Sequence, residues 1–310
     1  MAQTTRPPTP RPRAFQRLIA RGARLLARGV YRSVEVDNPE PGWSWRPAVL
    51  VANHPTGFSD PALLLGLLER SPRFLAKATL WDTPGFGWFL DRLGAIPVYR
   101  AQDGSTDRNA EMFSAAFDAL GAGYLIALFP EGGVSDTPSL GPIKTGAARL
   151  TLGAREAGVT GLLVVPVGIH FEDKAGLRRR AFVQVGDVLD LDEDVIGSSS
   201  AVGAHDGDAV VHLTHEIEVR LRAAAPDYAT DEEARTLTFA ASVALRQPGS
   251  AEVSLADRQH VAAQLAHAVS EQRTATVERA TAYRTSLGRK HVADRDVMLT
   301  QGGARLRRRL

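Results

Sequence analysis

Short apolar segments recur along the first two thirds of the chain, and stretches in which apolar residues return every three or four positions separate several of them. Six of the short segments have the length of strands: AVLVAN, RFLAK, AIPVY, YLIALF, LLVVPVGIHF and AFVQVG. Helical periodicity lies near residues 60–70, 105–120 and 144–157. This order predicts an α/β fold with a mixed central sheet flanked by helices.

The segment RPRAFQRLIARGARLLARGVYRS, residues 11–33, predicts a basic amphipathic helix. At 100° per residue its apolar side carries Phe15, Leu18, Ile19, Leu25, Leu26 and Val30. The opposite side carries Arg13, Arg17, Arg21, Arg24, Arg28 and Arg32. Because every charge on the polar side is positive, we expect this helix to lie on a membrane surface with anionic lipid. The alternative is that its apolar side packs on the protein core. Nucleic acid is not expected, since no aromatic residues interleave with the arginines.

After the last predicted strand the chain becomes helical. The stretch HLTHEIEVRLRAAAP is followed by two helices, which open with the capping signatures Thr230–Glu233 and Ser254–Asp257. We therefore divide the chain into three parts: a basic amphipathic segment (1–44), a main domain (45–227) and a helical C-terminal region (228–310).

Composition excludes several classes of function. The 310 residues include no cysteine, which excludes disulfides, thiolate nucleophiles and cysteine-ligated zinc. No run approaches 18 apolar residues and no signal peptide is recognisable, so we expect a protein that neither spans a membrane nor is secreted. The net charge is only +2, but arginine crowds the first 32 residues and the tail ARLRRRL. This uneven distribution favours an anionic partner.

The stretch VANHPTGFSDP, residues 51–61, carries the clearest candidate chemistry. Asp60 and Pro61 have the residue types of a helix start, with aspartate at the N-cap. His54 then lies in a loop at the carboxyl end of a strand, where open α/β sheets bind ligands. A carboxylate bonded to one ring nitrogen leaves the other free to take a proton. The alternative is that Asp60 only caps its helix and His54 is an ordinary loop histidine.

Three further stretches are predicted at the same sheet edge. FPEGG, residues 129–133, follows a strand and brings the Glu131 carboxylate and the backbone amides around Gly132. Lys144 begins a predicted helix, where an ammonium group and free amides both attract an anion. Arg100 ends the strand AIPVYR and has the side chain that binds phosphate in bidentate fashion.

Together and in order, these stretches resemble the motif blocks of the glycerolipid acyltransferase family, which includes lysophosphatidate and glycerol-3-phosphate acyltransferases. The blocks are NHPTGFSDP, FLAKATLWDTPGFGWFLDRLGAIPVYR, FPEGGVSDTPSLGPIKTGAARL and VVPVGIHF. The resemblance covers about residues 45–190. Two departures stand out: five residues separate His54 from Asp60, where most of the family has four, and Val134 replaces a common arginine.

The resemblance implies a mechanism. His54, oriented by Asp60, removes the proton of an acceptor hydroxyl as the oxygen attacks the thioester of acyl-CoA or acyl carrier protein. Backbone amides of the histidine loop stabilise the oxyanion. The acceptor's phosphate and glycerol are held by Lys77, Arg100, Glu131, Gly132 and Lys144. No cofactor or metal is expected, and His212 and His215 are interpreted as exposed helical histidines. Ser59 lacks a nucleophile elbow and is not predicted to act as a nucleophile.

The resemblance also implies a place and a substrate. We expect a peripheral protein on the cytoplasmic face of a membrane, in phospholipid synthesis, with glycerol 3-phosphate as acceptor. Lysophosphatidate or another lysophospholipid is the alternative acceptor. Two other classes stay open: a hydrolase in which His54 and Asp60 activate water, and a catalytically silent membrane-binding protein.

Overall fold

The computed structural model describes residues 14–38, 43, 45–68, 70–99, 109–174, 176, 178–193, 204–246, 252–294 and 297. Arg13 and the basic tail lie outside these residues. The chain forms two compact units. The first contains the described residues up to Asp136 together with Leu140–Ala225, and the second contains Thr137–Ser139 and the described residues from Pro226 onward.

The first unit is built on a central sheet. Among the described residues its strands are β1 (Tyr31–Asp37), β2 (Ala48–Ala52), β3 (Arg73–Lys77), β4 (Ile96–Val98), β5 (Leu125–Leu128), β6 (Leu163–Phe171), β7 (Arg179–Val185) and β8 (Leu189–Asp190). The spatial order is β1-β7-β6-β2-β5-β3-β4, and β8 pairs with β6. Strands β6, β2, β5, β3 and β4 run parallel, whereas β7 and β8 run antiparallel to β6. The predicted mixed sheet is confirmed.

Helices cover both faces of this sheet. They are α1 (Ala14–Val30), α2 (Ser59–Leu67), α3 (Phe86–Leu93), α4 (Asn109–Gly121), α5 (Gly146–Glu156) and α6 (Gly207–Ala224). On one face α5 and α6 bury residues such as Leu150 and Leu213, and on the other α2 and α3 bury Leu64 and Leu93. Strands β2 and β5 are buried along their whole length because both faces are covered, which explains their continuous apolar sequences.

Strand β1 was not predicted. It pairs parallel with β7, so that Val34 lies opposite Ala181, and it extends the sheet at one end. The helical spacing of arginines continues to Arg32, but α1 ends at Val30 and the strand begins at Tyr31. The boundary predicted near residue 44 therefore falls beyond an edge strand that belongs to the first unit.

The apolar side predicted for α1 is divided in the structure. Ile19 and Val30 pack against the core together with Ala23 and Ala27. The leucines instead face solvent, with exposed fractions of 63% for Leu18, 67% for Leu25 and 53% for Leu26. The exposed arginines of this helix include Arg17, Arg21 and Arg28. Helix α1 therefore has a core-facing side, an exposed leucine side and a basic side.

A close contact with α2 fixes α1 on the first unit. The Nε of Arg24 donates to the carbonyl of Gly66 at 3.0 Å. A Cβ atom on Gly66 would lie 3.1 Å from the backbone nitrogen of Arg24, so only glycine lets the two helix backbones approach this closely. Arg24 thus takes part in the helix contact, although the residue as a whole is exposed.

The second unit contains α7 (Asp231–Leu245), α8 (Leu255–Ala266) and α9 (Ser270–Arg289). Both predicted capping signatures are confirmed, since the side chain of Thr230 accepts from the Glu233 amide and that of Ser254 accepts from the Asp257 amide. Its small core contains Tyr228, Leu237, Ala241 and Ala262. Across all the described residues, no helix is both long and apolar enough to cross a membrane.

Candidate active site

The parallel strands end at one edge of the sheet, and the predicted site residues that the structure describes follow them there. His54 lies two residues after β2, Glu131 lies three residues after β5, and Lys77 is the last residue of β3. Because β2 and β5 are neighbours, the loops that follow them meet. The Ser135 amide donates to the His54 carbonyl at 3.0 Å. This is the edge at which open α/β sheets bind ligands.

The imidazole of His54 is held by Asp60. Its Nδ1 lies 2.9 Å from Oδ2 of Asp60, whose side chain is 0% exposed, whereas the histidine side chain is 17% exposed. A carboxylate only accepts hydrogen bonds, so Nδ1 carries the proton and Nε2 of the neutral ring carries none. Nε2 is therefore able to take a proton from a molecule bound at this edge.

Asp60 is not the N-cap of its helix, contrary to expectation. Helix α2 begins at Ser59 with Phe58 at the N-cap, and Asp60 lies in the first turn. Its Oδ2 also accepts from the amides of Thr56 and Gly57, each at 3.0 Å, and its Oδ1 accepts from the Thr56 hydroxyl. The turn therefore surrounds a buried carboxylate with donors, which is the condition for keeping a charge away from water.

Three amides of the histidine loop are already used inside the protein. The His54 amide donates to Oε1 of Glu131 at 3.0 Å, and those of Thr56 and Gly57 donate to Asp60. The expectation that the loop amides stabilise an oxyanion is wrong for these three, because each points at a carboxylate of the protein itself.

Glu131 connects two loops. Its Oε1 accepts from the His54 amide and its Oε2 from the Gly141 amide, both at 3.0 Å. Both partners are donors, so the position requires two accepting oxygens. Glu131 thereby ties the histidine loop to the loop that leads into α5. Its predicted contact with the acceptor stays a prediction.

Lys144 lies against the turn that contains Gly132. Gly132 has a φ of +74° and its amide donates to the Phe129 carbonyl at 3.0 Å. A Cβ atom on Gly132 would overlap the Nζ atom of Lys144, so the glycine leaves room for the ammonium group. The Lys144 amide donates to the Pro130 carbonyl at 3.0 Å. The structure therefore brings Gly132 and Lys144 together beside Glu131, which holds the histidine loop.

Of the other two predicted cations, the structure describes Lys77 alone. Lys77 ends β3 and is half-buried, opposite Val98 of β4. Arg100 lies outside the described residues. Their predicted contacts with a phosphate stay predictions.

Two residues that the sequence reasoning missed hold the histidine in place. The ring of Phe129 stacks on that of His54, with ring centroids 3.9 Å apart and an interplanar angle of 10°. The buried side chain of Asn53 donates to the Ile169 carbonyl at 3.0 Å and accepts from the Ile169 amide at 2.7 Å. Phe129 and Asn53 lie next to predicted motif residues, but their partners are distant in sequence. Their positions at strand ends were therefore the one feature of the sequence that could have indicated a role.

The rim of the site is apolar on the side of the histidine loop. Val134 is 59% exposed. Gly57 has a φ of +85°, and a Cβ atom there would lie 3.3 Å from Cγ2 of Val134. Phe58 is also exposed and lies 6.2 Å from Phe86 of α3, measured between ring centroids.

Metal ligands do not cluster in the part of the chain that the structure describes. There, no group of three or more histidine, aspartate or glutamate side chains is placed to hold an ion. His212 and His215 are exposed on α6.

A histidine and a buried carboxylate at the edge of an α/β sheet define a site for acid–base chemistry. Residues 33–170 match the family model described as Acyltransferase. The match covers less than half of the 310 residues.

Named relatives are similar over the same part of the chain. Glycerol-3-phosphate O-acyltransferase 2 of Saccharomyces cerevisiae is 41% identical over 85 residues, which are 27% of this chain and 11% of that protein. Lyso-ornithine lipid O-acyltransferase of Brucella abortus is 37% identical over 134 residues, 42% of this chain and 47% of that protein. The chloroplastic 1-acyl-sn-glycerol-3-phosphate acyltransferase BAT2 of Brassica napus is 32% identical over 121 residues, 39% of this chain and 32% of that protein.

This chain therefore spans less than half the length of these curated relatives. Among solved structures, the 1-acyl-sn-glycerophosphate acyltransferase PlsC of Thermotoga maritima aligns with a TM-score of 0.48 and 21% identity. That alignment covers 67% of this chain and 77% of PlsC.

Proposed function

We propose that this protein is a glycerolipid O-acyltransferase. His54 takes the proton of an acceptor hydroxyl through Nε2 while the hydroxyl oxygen attacks the thioester carbonyl of acyl-CoA or acyl carrier protein. The C–S bond then breaks, and the proton leaves with the thiol. The observation that carries this proposal is the 2.9 Å contact between His54 Nδ1 and the fully buried Asp60, in a segment that matches the Acyltransferase family model.

Direct transfer fits the contacts better than a covalent intermediate on the enzyme. The nearest serine of the loop, Ser59, has its Oγ 2.6 Å from Oγ1 of Thr56. Its hydroxyl is therefore engaged in the support of Asp60 and not in contact with the imidazole of His54. General-base catalysis by a positioned histidine contributes about 10²- to 10⁴-fold to rate.

The acceptor we propose first is glycerol 3-phosphate. Two observations support it: the identity with a yeast glycerol-3-phosphate O-acyltransferase over 85 residues, and the Lys144 ammonium on the Gly132 turn, where it is placed to attract a phosphate. Lys77 and Arg100 are proposed as further phosphate contacts. Lysophosphatidate, which shares the phosphate and the hydroxyl, is the alternative.

The acceptor is tested by offering the purified protein labelled palmitoyl-CoA with glycerol 3-phosphate, lysophosphatidate or lyso-ornithine lipid, and identifying products by mass. We expect lysophosphatidate as the main product from glycerol 3-phosphate. A kcat/KM for lysophosphatidate at least tenfold above that for glycerol 3-phosphate would contradict this acceptor and leave acyl transfer standing.

The matched control is His54→Ala, which should lose transfer to every acceptor. It should keep its fold, because the amides of Thr56 and Gly57 still hold the Asp60 carboxylate. A reaction without acceptor tests the hydrolase alternative. Release of free palmitate as fast as acyl transfer would show that water is the true acceptor and would overturn the proposal.

We further propose that the exposed leucine side of α1 lies in the surface of an anionic bilayer, on the cytoplasmic face. Leu18, Leu25 and Leu26 offer apolar area to the acyl region, and the neighbouring arginines offer positive charge to the headgroups. Helix α3 contacts α1 and exposes Trp88, a residue type suited to a membrane interface.

Vesicle flotation separates the two contributions. Exchange of Leu18 and Leu25 for serine should weaken binding at every salt concentration, because it removes apolar area. Exchange of Arg17 and Arg21 for glutamine should weaken binding mainly at low salt, because charge attraction is screened over about 8 to 10 Å at physiological ionic strength. Binding that ignores both lipid charge and these four residues would contradict the proposal.

A further inference from the structure

A buried tyrosine that the proposed reaction does not use lies close to the histidine–aspartate pair. Tyr31 is the first residue of β1, and only 8% of it is exposed. Its ring stacks on Phe171, with centroids 5.6 Å apart and an interplanar angle of 24°. The side chain of Ser59 and the charge of Asp60 both shift the pKa of its hydroxyl, which indicates that the hydroxyl lies near them.

From Tyr31 a chain of hydroxyl groups leads to the carboxylate. The Oγ of Ser59 lies 2.6 Å from Oγ1 of Thr56, and the Thr56 hydroxyl donates to Oδ1 of Asp60. The Oδ2 of Asp60 faces His54. Oδ1 of the carboxylate thus accepts from the hydroxyl chain, and Oδ2 accepts from the imidazole.

The proton positions in this chain follow from the charge at its end. Each hydroxyl has one proton, and the carboxylate of Asp60 only accepts. Thr56 therefore donates to Asp60 and accepts from Ser59, and Ser59 can in turn accept from Tyr31. Hydrogen bonds that all point toward an anion polarise one another, so that each bond in the chain becomes stronger.

We propose that Tyr31, Ser59 and Thr56 are positioning residues that fix the orientation of the Asp60 carboxylate. The proposal rests on the proposed function of His54 and Asp60. The terminal torsion of an aspartate is broad and roughly two-fold, so backbone contacts to Oδ2 alone leave the carboxylate plane free to turn. The Thr56 hydroxyl donates to Oδ1 and is itself oriented by the hydroxyls of Ser59 and Tyr31. This keeps Oδ2 directed at Nδ1 of the imidazole.

The environment of Tyr31 supports its part as the terminal donor. Burial is the largest cause that raises the pKa of its hydroxyl above the usual value, and the Asp60 charge raises it further. The phenol therefore keeps its proton at neutral pH. Because Tyr31 directly follows α1, the chain also joins the end of the proposed membrane helix to the site.

Four variants in the full chain test the proposal: Thr56→Val, Thr56→Ser, Ser59→Ala and Tyr31→Phe. Valine keeps the shape of threonine and removes the donor, whereas serine keeps the donor. We expect Thr56→Val to lower kcat by about 10- to 100-fold, below the roughly 10²- to 10⁴-fold that a general base contributes. We expect Tyr31→Phe and Ser59→Ala to have smaller effects, Thr56→Ser to restore most of the rate, and KM to change less than about twofold.

A second readout needs no substrate. NMR of protein with ¹⁵N-labelled histidine rings should show His54 with the proton on Nδ1 in the wild type, and a mixture of both ring tautomers in Thr56→Val. Tyr283→Phe, which removes a tyrosine–aspartate hydrogen bond in the second unit, should leave the His54 signals unchanged. If Thr56→Val does not fold, Tyr31→Phe and Ser59→Ala carry the test.

The outcomes separate the two proposals. Tautomer loss in the variants together with no acyl transfer by the wild type would support the positioning chain and contradict the proposed function. Wild-type kcat and an unchanged tautomer in Thr56→Val and Tyr31→Phe would overturn the chain while leaving the acyltransferase proposal standing. Equal loss in Thr56→Ser and Thr56→Val would also overturn it, because the hydroxyl would then be irrelevant.

Discussion

Asp60→Asn removes one charge from the centre of the site and almost nothing else. The amide oxygen of asparagine takes the place of Oδ2, where it accepts from the same backbone amides and from the His54 ring. Its NH₂ group takes the place of Oδ1, and the Thr56 hydroxyl turns to accept from it. The exchange therefore keeps the turn and the start of α2.

The size of the effect follows from the charge that is lost. As His54 takes the proton, its ring becomes an imidazolium beside the buried carboxylate. Two opposite charges about 4 Å apart at an effective dielectric of about 20 attract by about 4 kcal/mol. Each 1.4 kcal/mol corresponds to about a tenfold change in rate. We therefore expect Asp60→Asn to lower kcat/KM by about 10²- to 10³-fold.

The assay measures initial rates of labelled product for the wild type, Asp60→Asn and His54→Ala, with circular dichroism on the same samples. His54→Ala should lose more than Asp60→Asn, because it removes the base itself. Because asparagine keeps the hydrogen-bond partners of Asp60, circular dichroism should show the wild-type fold. A folded Asp60→Asn with kcat/KM within threefold of the wild type would refute the reasoning and leave Asp60 a purely structural residue.

Three further predictions concern stability. Glu131→Gln turns an NH₂ toward one of two backbone donors, so we expect a loss of about 1 to 3 kcal/mol by urea denaturation, and an unchanged midpoint would contradict the loop connection. Gly168→Ala places a Cβ atom on the Ala224 carbonyl and should cost about 1 to 3 kcal/mol, whereas Gly207→Ala, with open space around it, should not. Burial raises the pKa of Tyr228 to about 12, so its contribution to stability is lost as pH rises from about 10 to 12, and Tyr228→Phe should reduce that loss in alkaline denaturation.

The histidine–aspartate pair was accessible from the sequence because it is local. Six positions separate His54 from Asp60, and a tight turn with Gly57 in a left-handed conformation brings the two side chains together. The helix start was predicted two residues late, since the aspartate that resembled a cap is directed at the imidazole and at the loop amides instead. The sequence spacing identified the two residues, but it did not predict which groups donate to the Asp60 carboxylate.

The pattern of apolar and polar residues did not predict contacts between segments that are distant in sequence. The Phe129 ring meets His54 because β5 lies next to β2, and Asn53 meets Ile169 because β6 lies on the other side of β2. Neither neighbour follows from the order of strands along the chain, since β5 enters the sheet between β2 and β3. Packing of helices on both faces decides that order.

The N-terminal segment shows the same division between sequence and tertiary structure. By itself the sequence determined that the segment 11–33 contains a helix with arginines on one side, because helical periodicity is a property of neighbouring residues. Only the tertiary structure decided that Ile19 packs inward, that Leu25 faces solvent, and that Tyr31 leaves the helix to reach Ser59. Periodicity states which residues share a side of a helix, but the partner that covers each side is chosen by the shape and composition of the rest of the fold.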